Sequence, residues 1–322
     1  MADGRAQVAH GLETWLRGRG VDAEVEVWDR ATVGLSQETW FVRVTTGARV
    51  IDAVLRLPTP ASGSRAIVTQ RAALQAVAGS DVPAPALLWF DDGDGNPFSR
   101  PFLVMARAPG EVPVGWHDIP EPRRTALAEQ AIDILVALHS VDVARTPIGA
   151  GVSSPLLELG GLRRLFQRLE PLPAAVPAAF WWLENHAQPP PRRTALVHGD
   201  YRMGNLVVDG DGITGVLDWE MAAPGDPIAD VTWCFIPVWE LPGVDEQALV
   251  RRYAERSGSP VEAERFHWHR VLGFVRLAYY ALAGTRAFDT GRSDDLRLAA
   301  LRLQLPVTLD RLAATLAREP VS

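Results

Sequence analysis

The stretch LVHGDYRMGNLVVDGDGITGVLDWE, residues 196–220, decides how the rest of the chain is read. Asn205 to Val208 and Ile213 to Leu217 are short apolar runs, and Asp209-Gly210-Asp211-Gly212 between them is a strong turn signal. The pattern predicts an antiparallel hairpin centred near residues 210–211. That pairing sets Asn205 opposite residues 216–217 and brings Asp218 beside it. Asp200 lies five residues before Asn205, on the loop that enters the hairpin. Apolar packing asks for none of these three side chains, so the ribbon is read as holding something charged.

Carboxylate and amide oxygens suit a hard cation such as Mg²⁺, which keeps several waters and takes only one or two protein carboxylates plus substrate phosphates. Asn205 and Asp218 are the expected metal pair. Asp200 is then left to accept a proton from an attacking hydroxyl. The spacing His-x-Asp-x-x-x-x-Asn, met at His198, Asp200 and Asn205, is expected by chance about 0.005 times in a chain of this composition. The competing reading takes each Asp and Asn as a turn former; it explains single members better than the set.

The chain has 322 residues, 47% of them hydrophobic and 22% charged, enough for a sizeable core and more than one compact unit. Its net charge of -7 argues against a nucleic-acid partner. The lone cysteine, Cys234, excludes an internal disulfide and fits a reducing, cytoplasmic setting. No signal peptide is read at the start, and no run of eighteen apolar residues predicts a membrane span. There is no lysine, so all 32 basic residues are arginine.

Up to about residue 106 the pattern is mostly strand. Val25 to Leu35, Thr39 to Val44 and Val50 to Leu57 read as strands, Arg65 to Ala78 as a helix, and Leu87 to Phe90 and Phe102 to Ala106 as two further strands. Beyond Pro109-Gly110 the texture turns helical, with clear segments at 122–141, 246–256, 262–283 and 294–317. The expected division is a β-rich lobe over 1–106 and a helical lobe over 107–322 that carries the hairpin.

His198-Gly199-Asp200-Tyr201-Arg202-Met203-Gly204-Asn205, then Leu217-Asp218-Trp219-Glu220, then Pro224-Gly225-Asp226-Pro227-Ile228-Ala229-Asp230 resembles the aminoglycoside phosphotransferase family. The likeness runs from about residue 30 to 280 and is nearest the branch associated with acyl-CoA dehydrogenases. It implies an α+β, protein-kinase-like bilobal fold, with a small antiparallel β lobe plus one helix and a larger, mainly helical lobe bearing the catalytic hairpin. It implies Asp200 as catalytic base, His198 as the residue that orients its loop, and Asn205 and Asp218 as Mg²⁺ ligands. Asp226 is expected to brace the catalytic loop from a helix start, or simply to cap that helix.

The same resemblance assigns the nucleotide site. Gly34 and Ser36 stand where the family's phosphate loop falls. Arg56, in Ala53-Val54-Leu55-Arg56-Leu57, occupies the slot of the usual phosphate-binding lysine, and offers a planar fork instead of a point charge. Gln70 occupies the slot of the glutamate that pairs with that cation; its amide can bond a guanidinium but brings no charge. Met105 and Ala106 fall on the segment that holds the base of ATP (or GTP). His139 is assigned structure. Trp181, Trp182, Trp233, Trp239, Trp268, Tyr279 and Tyr280 are read either as core or as walls of an apolar acceptor pocket.

The function implied is ATP-dependent phosphorylation of a hydroxyl on a small molecule: a hydroxyacyl thioester, an aminoglycoside-like compound or another hydroxyl metabolite. Asp226 follows Asp218 by only eight positions and no Ala-Pro-Glu follows, which leaves no activation segment for a protein substrate. The alternative is a catalytically weak nucleotide-binding pseudo-enzyme with a regulatory role, prompted by Gln70. Oligomeric state is not readable.

Overall fold

The computed structural model describes residues 2–31, 37–59, 63–149, 155–236 and 243–318. The chain divides into two compact units. The first comprises Met1–Pro113, Val141–Gly149 and Asn205–Ala223; the second comprises Val114–Ser140, Ala150–Gly204 and Pro224–Ser322. The hairpin, which the sequence reading counts with the helical lobe, therefore groups with the sheet. The division falls between Gly204 and Asn205, inside the quoted motif.

The first unit holds α1 (Ala2–Arg17), β1 (Glu24–Arg30), β2 (Gln37–Thr46), β3 (Arg49–Pro58), α2 (Arg65–Val77), β4 (Leu87–Asp91) and β5 (Phe102–Ala106). The five strands form one antiparallel sheet in the order β1-β2-β3-β5-β4. Period-two alternation divides β3 between two faces. Ala53, Leu55 and Leu57 join the core that Val42, Val44, Phe102 and Val104 build. Val54 and Arg56 turn to the other face, paired in register with Met105 and Leu103.

The sequence reading allowed this unit one helix; the structure has two. Val8, Leu12, Trp15 and Leu16 recur at helical spacing and bury the inner face of α1 against the sheet. The Trp15 indole donates to Asp91 Oδ2 (2.7 Å), and Asn96 Nδ2 donates to Oδ1 (2.6 Å). Burial pushes the Asp91 carboxyl up, but bonds from Trp15, Asn96 and the Gly93 backbone, with the Arg19 charge, hold it below the usual range.

The rest of the chain carries α3 (Glu121–Ser140), α4 (Pro155–Phe166), α5 (Ala175–Asn185), β6 (Ala195–Val197), β7 (Leu206–Asp209), β8 (Gly212–Val216), β9 (Ala223–Gly225), α6 (Pro227–Trp233), α7 (Glu246–Ser257), α8 (Ala263–Asp289) and α9 (Leu296–Leu316). Apart from the β7–β8 hairpin and Ala223, these belong to the second unit. Its core is centred on α8, where Trp268, Val271, Leu272, Val275 and Ala278 meet Val176, Ala179 and Leu183 of α5 and Leu312 of α9. Trp268 lies wholly inside, and its indole N–H donates to the Leu183 carbonyl (3.0 Å).

The segment after β5 is tied to the hairpin by the Thr214 hydroxyl, which donates to the Pro109 carbonyl (2.5 Å), and by a backbone bridge. Glu111 N donates to the Val208 carbonyl (3.0 Å), and Val208 N returns the bond (2.9 Å). Gly110 turns into this bridge with φ 96°, and a Cβ there would run into the Val208 carbonyl. Position 110 thus requires glycine on both conformational and steric grounds. Gly110→Ala is expected to cost about 2 kcal/mol or more, read as a lower urea midpoint with unchanged m-value.

Candidate active site

The hairpin forms as the sequence predicts. Leu206 pairs with Val216 and Val207 with Gly215, and Leu217 N donates to the Asn205 carbonyl (2.8 Å). Asn205 and Asp218 therefore sit at the same end of the ribbon. Asp218 adopts left-handed backbone, φ 68° and ψ 54°, which is uncommon outside glycine. Backbone strain of this kind gathers at functional positions.

Arg56 is buried, and its Nη1 pairs with Asp218 Oδ1 at 3.0 Å. Its Nε has no partner among the described residues. Gln70 does not reach it. The amide is wholly buried, donates only to the Met105 sulfur (3.9 Å), and leaves its oxygen without a partner. The expected bond from Gln70 to Arg56 is thus absent, and the strand cation takes its negative partner from the hairpin. The physical reason is charge: a buried guanidinium gains far more from a carboxylate than from an amide. Met105 is buried in the sheet, and Ala106 closes β5 with its N–H on the Ala86 carbonyl (2.8 Å). Gly34, Ser36 and Trp239 lie outside the described residues.

In the second unit the loop at 198–202 is held from several sides. Asp230 Oδ2 accepts from the His198 backbone N–H (2.6 Å) and Oδ1 from that of Gly199 (2.9 Å). The same carboxylate meets His139 Nε2 at 3.3 Å, whose Nδ1 reaches the Tyr253 hydroxyl at 2.7 Å. Burial pushes the Asp230 carboxyl up, but the His139 bond and charge, with the backbone bond from His198, bring it below the usual range. The Tyr201 hydroxyl donates to the Ala131 carbonyl (2.6 Å). His198 is wholly buried, and its Nδ1 accepts from the Asp200 backbone N–H (3.2 Å).

Within this frame the Asp200 carboxylate is fixed. The Trp233 indole N–H donates to Oδ1 (2.8 Å), and Arg202 Nε lies 3.3 and 3.2 Å from the two oxygens. The Arg276 guanidinium lies 4.4 Å over the Trp233 ring and donates through Nη2 to the Gly199 carbonyl (2.8 Å). A cation over the indole face draws electron density from the ring and strengthens the N–H as a donor. Trp233, expected as core or pocket wall, is part of the buried core and through its indole N–H also a contact of the carboxylate itself. Trp268 is core, Trp182 packs against the core, and Trp181 is exposed.

A profile of the phosphotransferase enzyme family matches residues 27–274. The chain belongs to this family. Mouse acyl-CoA dehydrogenase family member 10 is 29% identical over 218 residues, which cover 62% of this chain and 19% of the mouse protein. Aminoglycoside 3'-phosphotransferase of Niallia circulans is 23% identical over 173 residues, 51% of this chain and 63% of that one. The chain spans 19% to 28% of the first three acyl-CoA dehydrogenase relatives it matches. Among solved structures, one described as a candidate aminoglycoside phosphotransferase of Ralstonia eutropha JMP134 superposes with TM-score 0.78 at 21% identity, covering 95% of this chain and 97% of that one. A thermostable mutant of APH(4)-Ia, in ternary complex with ADP and hygromycin B, gives 0.65 at 19% identity over 95% and 99%. The fold is accordingly α+β and protein-kinase-like.

In this phosphotransferase-family chain the brace of the loop at 198–202 is Asp230. Asp226, one helical turn earlier, caps α6 by accepting from Ile228 N (3.0 Å), and pairs with Arg265 and with His269 Nε2 (3.0 Å). Both acids lie in the motif read from sequence, but only tertiary contacts tell cap from brace. Among the described residues no group of three His, Cys, Asp or Glu is placed to hold a metal ion. A divalent metal would rest on the Asn205 amide and the Asp218 carboxylate, a donor set that fits Mg²⁺ shared with phosphates and water.

Burial pushes the Asp226 carboxyl up, but the His269 bond and the charges of His269 and Arg265 outweigh it and hold the group at about 2. A lowered carboxyl stabilises the fold above the unfolded pKa, and that contribution is lost as pH falls from about 4 to about 2. The loss is expected to be about 2 kcal/mol. Asp226→Asn should be less stable at pH 7 and show a correspondingly shallower acid limb in urea titrations at successive pH values.

Proposed function

We propose that this chain transfers the terminal phosphoryl group of ATP, or GTP, to a hydroxyl on a small molecule, with Asp200 as the base. The observation that carries the reading is the fixed Asp200 carboxylate. It is oriented by the Trp233 indole and stands on a loop whose backbone N–H groups are tied down by Asp230. A base held in one orientation removes part of the entropic barrier to proton transfer. His198 serves this role indirectly, through its ring bond to the Asp200 backbone.

Asn205 and Asp218 would hold Mg²⁺, which supplies charge neutralisation for the transferring phosphates. The planar fork of Arg56 has donors beyond its Asp218 bond for a phosphate oxygen. Gly34 and Ser36 complete the phosphate site, and Met105 and Ala106 the base site. The acceptor is a hydroxylated metabolite, either a hydroxyacyl thioester or an aminoglycoside-like compound. A second reading, a nucleotide-binding regulator of weak activity, draws on the neutral Gln70 and its distance from the strand cation.

A panel of hydroxylated acceptors with labelled ATP and Mg²⁺ tests the reading. Asp200→Asn is expected to lower kcat by about a thousandfold with nucleotide affinity preserved. Turnover that survives this substitution overturns the assignment, and nucleotide binding without transfer on any acceptor favours the regulator. Trp233→Phe removes one bond to the charged base, worth roughly 1.5 kcal/mol, and is expected to lower kcat about tenfold without changing the KM for ATP.

A further inference from the structure

A second site lies in the helical unit, away from every residue assigned above. The cavity is about 480 Å³ and is walled by α7, α8 and α9. Each helix turns one face to it. Val250 and Arg251 come from α7, and Phe266, His267, Arg270 and Phe274 from α8 at helical spacing. Arg311 comes from α9, and Arg318, seven residues on, from the turn that follows.

Four arginines therefore meet one carboxylate, Glu246, which pairs with Arg270 at 2.5 Å. Even with Glu246 and Asp245 counted, arginines outnumber carboxylates here, in a chain whose net charge is -7. Arg251 stands 3.8 Å from Asp245, while Arg311 and Arg318 have no acidic partner among the described residues. Gathering like charges costs stability that a structural role would not repay. Two buried polar atoms of the wall, Arg270 Nε and His267 Nε2, are also without partners among the described residues. His267 is 8% exposed, and burial, with the Arg270 charge, pulls its pKa down.

Apart from Gln247 and Thr315, the remaining wall is apolar. We propose that this cavity binds a small amphiphilic anion, with a carboxylate or phosphate head against the arginines and a short hydrocarbon body along Val250, Phe266 and Phe274. The size falls within the range of ligand pockets.

Isothermal titration calorimetry on the full chain tests it, and requires no phosphoryl transfer. The probes are hexyl phosphate, hexanoate and hexylammonium. Hexyl phosphate or hexanoate is expected to bind, the tighter of the two naming the head group, and hexylammonium to give no heat. The exposed pair Arg311→Ala and Arg318→Ala together should weaken anion binding by about tenfold or more, with an unchanged Tm. No heat from either anion, equal binding of hexylammonium, or anion binding untouched in the double variant overturns the proposal. The last outcome would place the anion elsewhere, in the phosphate-binding region of Arg56.

Discussion

The carboxylate of Asp230 is the constraint on which the loop at 198–202 depends. It is almost wholly buried, and removing an ionised carboxylate from water costs several kcal/mol unless other donors replace the lost hydration. Here the replacement comes from two consecutive backbone N–H groups and a histidine. The exchange works in both directions. The acid is satisfied only while the loop keeps its shape, and the loop keeps its shape only while the acid is there. Tyr253 behind His139, and Tyr201 on the Ala131 carbonyl, extend the same arrangement into α7 and α3.

A comparable economy governs the sheet unit. A cation on the central strand needs a negative partner, and the neighbouring helix supplies only an amide. Asp218 fills that role. One side chain thus balances Arg56 and also presents the oxygen donors that suit a metal. A ligand engaging Arg56 meets a guanidinium already paired with Asp218 through one nitrogen, so the two charges are coupled.

Much of this was legible in the sequence, for a local reason. The hairpin, its register and the placement of Asn205 opposite Leu217 follow from alternation and a turn of Asp and Gly, and both are short-range signals. The helices α3, α7, α8 and α9 follow from apolar spacing in the same way. Other features depend on partners far along the chain. Asp230 and Asp226 look equivalent in the motif; what separates them is contact with residues 198–199 in one case and 265–269 in the other. Trp233 reads as one more aromatic until its indole is found 2.8 Å from Asp200. The helix α1 carried a readable stripe, Val8, Leu12, Trp15 and Leu16, which the strand-rich texture that follows it obscured.

The left-handed backbone of Asp218 has a consequence for how this position can drift. Glycine, asparagine and aspartate are the residues that enter this conformation readily. Glycine brings no side chain, asparagine no charge. Shape and electrostatics, acting independently, narrow the choice to a single letter of the alphabet, so a neutral walk through sequence space has no open exit here.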